Sequence, residues 1–388
     1  MALARVYMDW NATAPLMDEA RQAMVDTFAL PGNASSVHAE GRAARAAVEK
    51  SRRHVAALVG AEPAHVIFTS GATEAINHVL TPDFRMGRSP LKVSRLYASA
   101  IEHSAVREGG RFAPEQISRF AATRSGVVDL EALEQALAGH DRSAGLPMVA
   151  LMLVNNETGV IQPVSEAAQI VHRYGGLLIV DAVQAVGRIP VDIAALDADF
   201  LILTSHKIGG PKGVGALVAR GEALMPEPLI RGGGQEKGHR SGTENFHAII
   251  GFAAAAEAAL EGLGERNSLI PRLRDDLEAG MLAAAPDVII HGRDVDRVAN
   301  TCFFSLPGLK SETGQIAFDL EGVAISAGSA CSSGKVGQSQ VLTAMGFDNE
   351  IGGLRISIGP KTTRDDIAAT LAAFKKISDR RRPAGEAA

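Results

Sequence analysis

Residues 201–217 read LILTSHKIGGPKGVGAL: an apolar run, then Thr204, Ser205, His206 and Lys207, then four closely spaced glycines. Strands buried on both faces of a parallel sheet are near-continuous apolar runs, and ligands collect beyond their carboxyl ends. The stretch therefore predicts an α/β chain with an open, mostly parallel sheet and a ligand site at Lys207. An amine held at such a strand end and partly desolvated loses proton affinity, so it can attack an aldehyde and form a Schiff base. The glycines let the backbone turn tightly beside a bulky ligand. The competing reading, a surface lysine in a glycine-rich turn, suits Lys212, five residues on.

Working outward, GGLLIVDAVQAVG (175–187) is an aliphatic strand that ends in Asp181 and then Gln184. An unpaired carboxylate is costly at a buried strand end, so Asp181 requires a cationic partner. Asp181 and Lys207 each end a strand with a crossover between them, a βαβ-like unit that sets both side chains along one sheet edge. PMVALMLVNNETGVIQP (147–163) is another buried strand, running into Asn155, Asn156, Glu157 and Gly159, as in a polar-lined pocket. RLYASAIEHSAV (95–106) delivers His103 to a strand end in the same way. HVIFTSGATEAINHVL (65–80) is a strand, then small polar residues, then a helix. In that order the first helical N–H groups and the Thr73 hydroxyl suit a phosphate, with an ordinary helix cap as the alternative.

Pyridoxal phosphate needs a lysine for its aldehyde, a carboxylate for its ring nitrogen, a helix N-terminus for its phosphate and a group against its ring. Lys207, Asp181, Gly71 to Thr73 and His103 are that set.

Periodicity places helices at Met17–Leu30, Gly41–Gly60, Asp129–Ala138 and Ser165–Tyr174, and the arginines and Lys50 of the second read as a solvated face. The glycine-dense, basic stretch 228–245 reads as a mobile loop. The alanine-rich helix Ile249–Leu260 bridges to a second domain with a helix Leu269–Ala285 and an alternating strand Val298–Leu306. Cys302 on that strand reads as a small core residue. Cys331 differs. It lies in ISAGSACSSGKVGQSQ (325–340), which has almost nothing to bury, so its thiol is expected to be accessible and reactive. Arg355, within the apolar strand LRISIG (354–359), suggests bidentate capture of a carboxylate.

The 388 residues, 46% of them hydrophobic, suffice for two domains and a substantial core. The 39 basic and 44 acidic residues give a net charge of −5, which provides no global attraction for nucleic acid or an anionic membrane. Two cysteines make no disulfide framework and suit a reducing cytosol. With no secretory signal in residues 1–15 and no membrane-length apolar run, a soluble cytoplasmic protein is expected, without a metal site.

The motifs MDWNATAP, FTSGATEA, EHSAV, VNNETGV, VDAVQAVG, SHKIGGPKG, GGGQEKGHRSGTEN, SAGSACSSG and LRISIG occur in the order found in the cysteine desulfurases, and nearly the whole chain resembles that family. These are class V aminotransferase-group enzymes with the fold type I architecture, and the loop around Cys331 is similar to that of the subgroup used in iron–sulfur cluster assembly. The resemblance implies an arm over residues 1–15, a large pyridoxal-phosphate domain over 16–261 and a small α+β domain over 262–388. It implies that Lys207 forms the Schiff base, Asp181 pairs with the pyridinium and His103 stacks on the ring. Ala72, Thr73, Thr204 and His206 would hold the phosphate, Asn156 and Gln184 the phenolic oxygen, and Arg355 (with Asn156) the substrate carboxylate. Thr243 would reach the phosphate in a neighbouring subunit, hence a homodimer. The implied reaction converts L-cysteine to L-alanine and a Cys331 persulfide, which goes to an acceptor or scaffold protein. The alternative is a selenocysteine lyase or another class V lyase or aminotransferase. The chain departs from the family pattern at Thr204-Ser205, where Ser-Gly is more usual, at Ala14, where threonine is usual, and in its short C-terminal tail.

Overall fold

A computed structural model of the chain describes residues 5–328, 339–348 and 352–381. Its centre is a nine-stranded mixed sheet. Strands Ser89–Ser99, Leu146–Met152, Leu177–Asp181 and Phe200–Thr204 lie side by side and parallel, and Ile117–Phe120 runs parallel to the first of them. Gly215–Ala219 turns back antiparallel to Phe200–Thr204, and Val66–Thr69 closes that side. At the other edge the antiparallel strands Asp83–Met86 and Leu224–Pro226 complete the sheet.

The reason is visible in the residues. Every residue of Leu177–Asp181, Phe200–Thr204 and Gly215–Ala219 is buried, as strands covered on both faces must be. One apolar core lies on each face: Val180, Leu201 and Phe252 belong to one, and Ile179, Phe200 and Ile76 to the other. The βαβ-like expectation needs a correction. Leu177–Asp181 and Phe200–Thr204 are parallel neighbours, but turns and no helix link them.

Helices occupy Asp18–Thr27, Ala39–Ala57, Leu130–Ala138, Val164–Arg173 and Phe246–Glu261, each within a few residues of its expected span. The helix expected at Leu269–Ala285 begins earlier, at Leu263, because Pro271 lies within its first turns and does not end it. Arg52 also departs from expectation. It is 7% exposed instead of solvated, and it pairs with Glu236.

A second core gathers around a four-stranded sheet of Ile289–Ile290, Thr301–Ser305, Leu354–Ser357 and Ser326–Ala327. Phe304, Phe318 and Phe374 are buried in it together with Cys302. The N-terminal strand Val6–Tyr7 pairs with Val323–Ala324 in a separate two-stranded sheet, and a bridge between Asp9 and Ser357 ties the arm to the four-stranded one. The arm then crosses toward the main sheet, where Ala14 N–H donates to the His206 carbonyl at 2.9 Å. No single helix among the described residues is long and apolar enough to cross a membrane.

Candidate active site

A cavity of about 480 Å³ opens at the carboxyl ends of the parallel strands. Twelve sequence positions were expected to form a site, and ten of them line this cavity. Ala72, Thr73, His103, Asn156, Asp181, Gln184, Thr204, His206, Lys207 and Arg355 all line it. Thr243 does not; it is exposed on the loop after Gln235–Gly238. Cys331 lies outside the described residues. Lys212 stands at the exposed rim of the same cavity.

Lys207 follows its strand through a short 3-10 turn, Ser205–Lys207. Its Nζ donates to the carbonyl oxygens of Asn11 and Ala12, the latter at 2.9 Å. Gly209, at φ 87°, then turns the chain away in a conformation that glycine adopts freely. Ser205 occupies this turn without a positive φ, so the more usual glycine is not required; its hydroxyl is buried without a hydrogen-bond partner. His206 accepts or donates through Nδ1 to the Thr13 hydroxyl at 3.2 Å, and burial together with the charges of Lys207 and Lys212 pushes it down to about 4. Its imidazole is neutral at neutral pH.

Asp181 ends its strand buried, accepting the Val183 N–H at 2.9 Å. Burial raises its pKa, while that hydrogen bond and the charges of His103 and Lys207 favour the ionised form. A cationic group facing it in the cavity would offset the desolvation. His103 begins the short helix Ser104–Arg107 and accepts the Ala105 N–H on Nδ1 at 3.2 Å.

The helix Ala72–Val79 starts at Gly71 with no side-chain cap. Its first N–H groups therefore face the cavity unclaimed by a side chain, a ready anion site. A Cβ on Gly215 would stand 2.8 Å from the Gly71 Cα, so glycine there lets the returning strand close against this turn. Pyridoxal phosphate fits the set: uncapped helix N–H groups for its phosphate, a buried carboxylate for its ring nitrogen, and a lysine between them.

Arg355 reaches the cavity from the second sheet. Its Nη1 donates to the Asn156 carbonyl at 2.8 Å and its Nη2 to Asp9 at 2.9 Å, while its buried Nε has no partner. An unsatisfied buried donor on a guanidinium suits an incoming carboxylate.

Three residues of the site escaped sequence reasoning. Asn11 accepts from both Lys207 and the Gln184 amide, the latter at 3.0 Å, and its own amide donates to Thr301 at 2.9 Å. Only the MDWNATAP motif hinted at it. Glu102, next to His103, is fully buried, and its Oε1 accepts from the Ser99 hydroxyl at 2.5 Å and the Met152 N–H at 2.7 Å. Its Oε2 has no partner, and burial pushes the carboxyl up to about 8. Glu236, at φ 46°, receives both terminal nitrogens of Arg52, at 2.6 and 2.9 Å, and the Phe68 N–H at 2.8 Å. With the Arg240–Glu74 pair at 2.9 Å, it clasps the loop carrying Thr243 to the strand and helix that form the anion site. Nothing in the local sequence separated these two ion pairs from a solvated, basic loop.

Comparison with known proteins places this geometry among relatives. A sequence model of the aminotransferase class V family matches residues 6–370. The chain is 38% identical to a cysteine desulfurase from Cereibacter sphaeroides, an alignment covering 98% of this chain and 97% of that one. It is 36% identical to an IscS-like cysteine desulfurase from Mycobacterium tuberculosis, covering 98% of each. The solved structure of a NifS-like protein from Rickettsia africae is similar with a TM-score of 0.85 at 33% identity, over 97% of this chain and 99% of that one.

Proposed function

The chain belongs to the class V aminotransferase family and, within it, to the cysteine desulfurases, and from that premise we propose that it is a pyridoxal-phosphate enzyme that moves sulfur from L-cysteine to Cys331. The observation that carries the reading is the convergence of Lys207, buried Asp181, His103 and an uncapped helix start on one cavity.

Ala72, Thr73, Thr204 and His206 hold the cofactor phosphate, Asp181 its ring nitrogen and His103 its ring face. Asn156 and Gln184 hold its phenolic oxygen. When bound, the cofactor supplies an electron-withdrawing ring that stabilises negative charge at the substrate Cα. Arg355 binds the cysteine carboxylate through its unpartnered Nε and orients Cα toward Lys207. Lys207 holds and moves the Cα proton. Neutral His206 presents a hydrogen bond to the phosphate without competing for its charge. The Cys331 thiolate then attacks the substrate sulfur. The Cβ–Sγ bond breaks, its electron pair stays with Cβ, a proton completes the methyl group of L-alanine, and the sulfur remains on Cys331 as a persulfide.

Residues 1–15 serve as an arm, 16–261 as the large domain and 262–388 as the small one. The exposed apolar side chains Val25, Phe28 and Leu30 support pairing of two chains, with Thr243 of each reaching the other's phosphate. The sulfur passes to an acceptor or iron–sulfur scaffold protein in the cytosol.

Purified protein supplied with pyridoxal phosphate, L-cysteine and a reductant is expected to form alanine and sulfide in equal amounts. Formation of pyruvate and ammonia in place of alanine would make it an eliminating lyase, and preferential turnover of selenocysteine would make it a selenocysteine lyase.

A further inference from the structure

Lys207 is a wall between two cavities. Behind the large one lies a smaller space of about 110 Å³, bounded by the arm, the turn after Lys207 and the loop that follows the last strand. Trp10, Ile270 and Ile358 give it an apolar body. Arg188, Arg266 and Lys361 face it, and no aspartate or glutamate among the described residues lines it.

Neither arginine forms an ion pair among the described residues, and only Arg266 has a carboxylate, that of Glu265, acting on it from beyond contact distance. Arg188 donates Nη1 to the Gln184 backbone carbonyl at 2.6 Å and to the Gln184 amide oxygen, both neutral acceptors. Burial and the like charge of Arg355 push it down to about 9. Arg266 directs its terminal nitrogens to the carbonyls of Ala258 and Ala259 at the end of the helix Phe246–Glu261. Its Nε is buried with no partner. A guanidinium taken out of water without a carboxylate is costly, and an orphaned buried donor calls for an acceptor. The two conditions meet at one small cavity.

We infer that this cavity is a second binding site, for a small carboxylate with a short apolar body, whose oxygens bridge Arg188 and Arg266 while its alkyl part packs on Trp10 and Ile270. The space holds about half a dozen non-hydrogen atoms, too few for the cofactor. An inorganic oxyanion would leave the apolar walls unmatched. The occupant touches the stem of Lys207 and the arginine that holds Gln184, so its binding is sensed at the site in front.

Butyrate is the probe and butyramide its uncharged counterpart, both titrated into the holoenzyme by calorimetry at constant ionic strength. One butyrate is expected to bind per chain with saturating cysteine present, and butyramide at least tenfold more weakly. Arg266→Gln should weaken butyrate binding by about tenfold or more, the loss of a charge-assisted hydrogen bond, while kcat/KM for cysteine and the cofactor absorption stay unchanged. Arg188→Gln gives a second reading should the first variant fold poorly. Butyrate binding that is competitive with cysteine and intact in both variants would place it at Arg355 and overturn the inference. So would equal binding of butyrate and butyramide, or no binding of either.

Discussion

Arg355 Nη2 stands 2.9 Å from Asp9 Oδ1, so the arginine that faces the cavity from the second sheet already holds a carboxylate from the N-terminal arm. Their side chains are 4% and 18% exposed, which makes the contact part of the site's wall instead of a surface pair. The Ser326 hydroxyl fixes the same Asp9 oxygen at 2.8 Å.

If Arg355 binds the substrate carboxylate as proposed, Asp9 competes for the same charge. Asp9→Asn keeps the shape and removes the competing charge, and KM for L-cysteine is expected to fall several-fold with kcat little changed. A raised KM in steady-state assays would instead make Asp9 a strut that holds Arg355 in place.

Lys207→Ala should leave a folded protein whose turnover drops by about 10²- to 10⁴-fold or more, because the amine that moves the Cα proton is gone. Lys212→Ala, at the exposed rim, should stay near native activity. Equal losses in the two variants would show that the wrong lysine had been assigned.

Glu102 is expected to leave a signature in stability against pH. Its ordinary value is 4.5 and burial moves it up to about 8, so between these limits the folded chain binds the proton that the unfolded chain has released. Stability from this group is complete below pH 4.5, falls by up to about 1.4 kcal/mol per pH unit as pH rises, and levels off above 8. Glu102→Gln removes that slope while keeping an acceptor for Ser99 and Met152. Denaturant unfolding of both proteins from pH 5 to 9 measures it, and parallel curves would mean Glu102 is ionised in the fold.

The Arg52–Glu236 pair, with side chains 9% and 2% exposed, should be costly to break from one side. Glu236→Ala leaves the buried guanidinium with only the half-exposed Glu49 as a carboxylate partner, so the expected cost approaches but stays below the about 3–5 kcal/mol of a fully unpaired buried charge. It also frees the loop that carries Thr243, so cofactor dissociation, followed by absorbance after dilution, should quicken. Stability loss without faster release would confine the pair to folding.

Cys331→Ala separates the two halves of the reaction. In deuterated water it should still bind cysteine and exchange the Cα proton, yet form no persulfide and little alanine. Cys302→Ala is the control: burial pushes this thiol well up, leaving no thiolate, and its loss should cost about 1 kcal/mol or more of stability and spare the mechanism. Native sulfide release by Cys331→Ala would exclude a persulfide on that residue.

The strand ends were legible in the sequence because burial on both faces forces a continuous apolar run, and the polar residue that breaks the run must lie at the sheet's edge. Thr204 through Lys207, Asp181 and His103 each announced themselves in this way; the small residues before Ala72–Val79 left an anion site and an ordinary cap both open, and the structure shows no side-chain cap there. What no window of sequence held was pairing over long separations. Asn11 meets Lys207 and Gln184, Arg52 meets Glu236, and Asp9 meets Arg355 only because the arm and the loop fold back across the sheet. Arg52 carries the same charge as its solvated neighbours on one helix, and local periodicity cannot tell which cation will find a buried carboxylate. The sequence by itself determined the buried parallel strands, their apolar faces and which strand ends carry polar and ionisable side chains; the tertiary structure alone decided which charges are neutralised, because desolvation and ion pairing depend on what the rest of the chain brings within hydrogen-bonding distance.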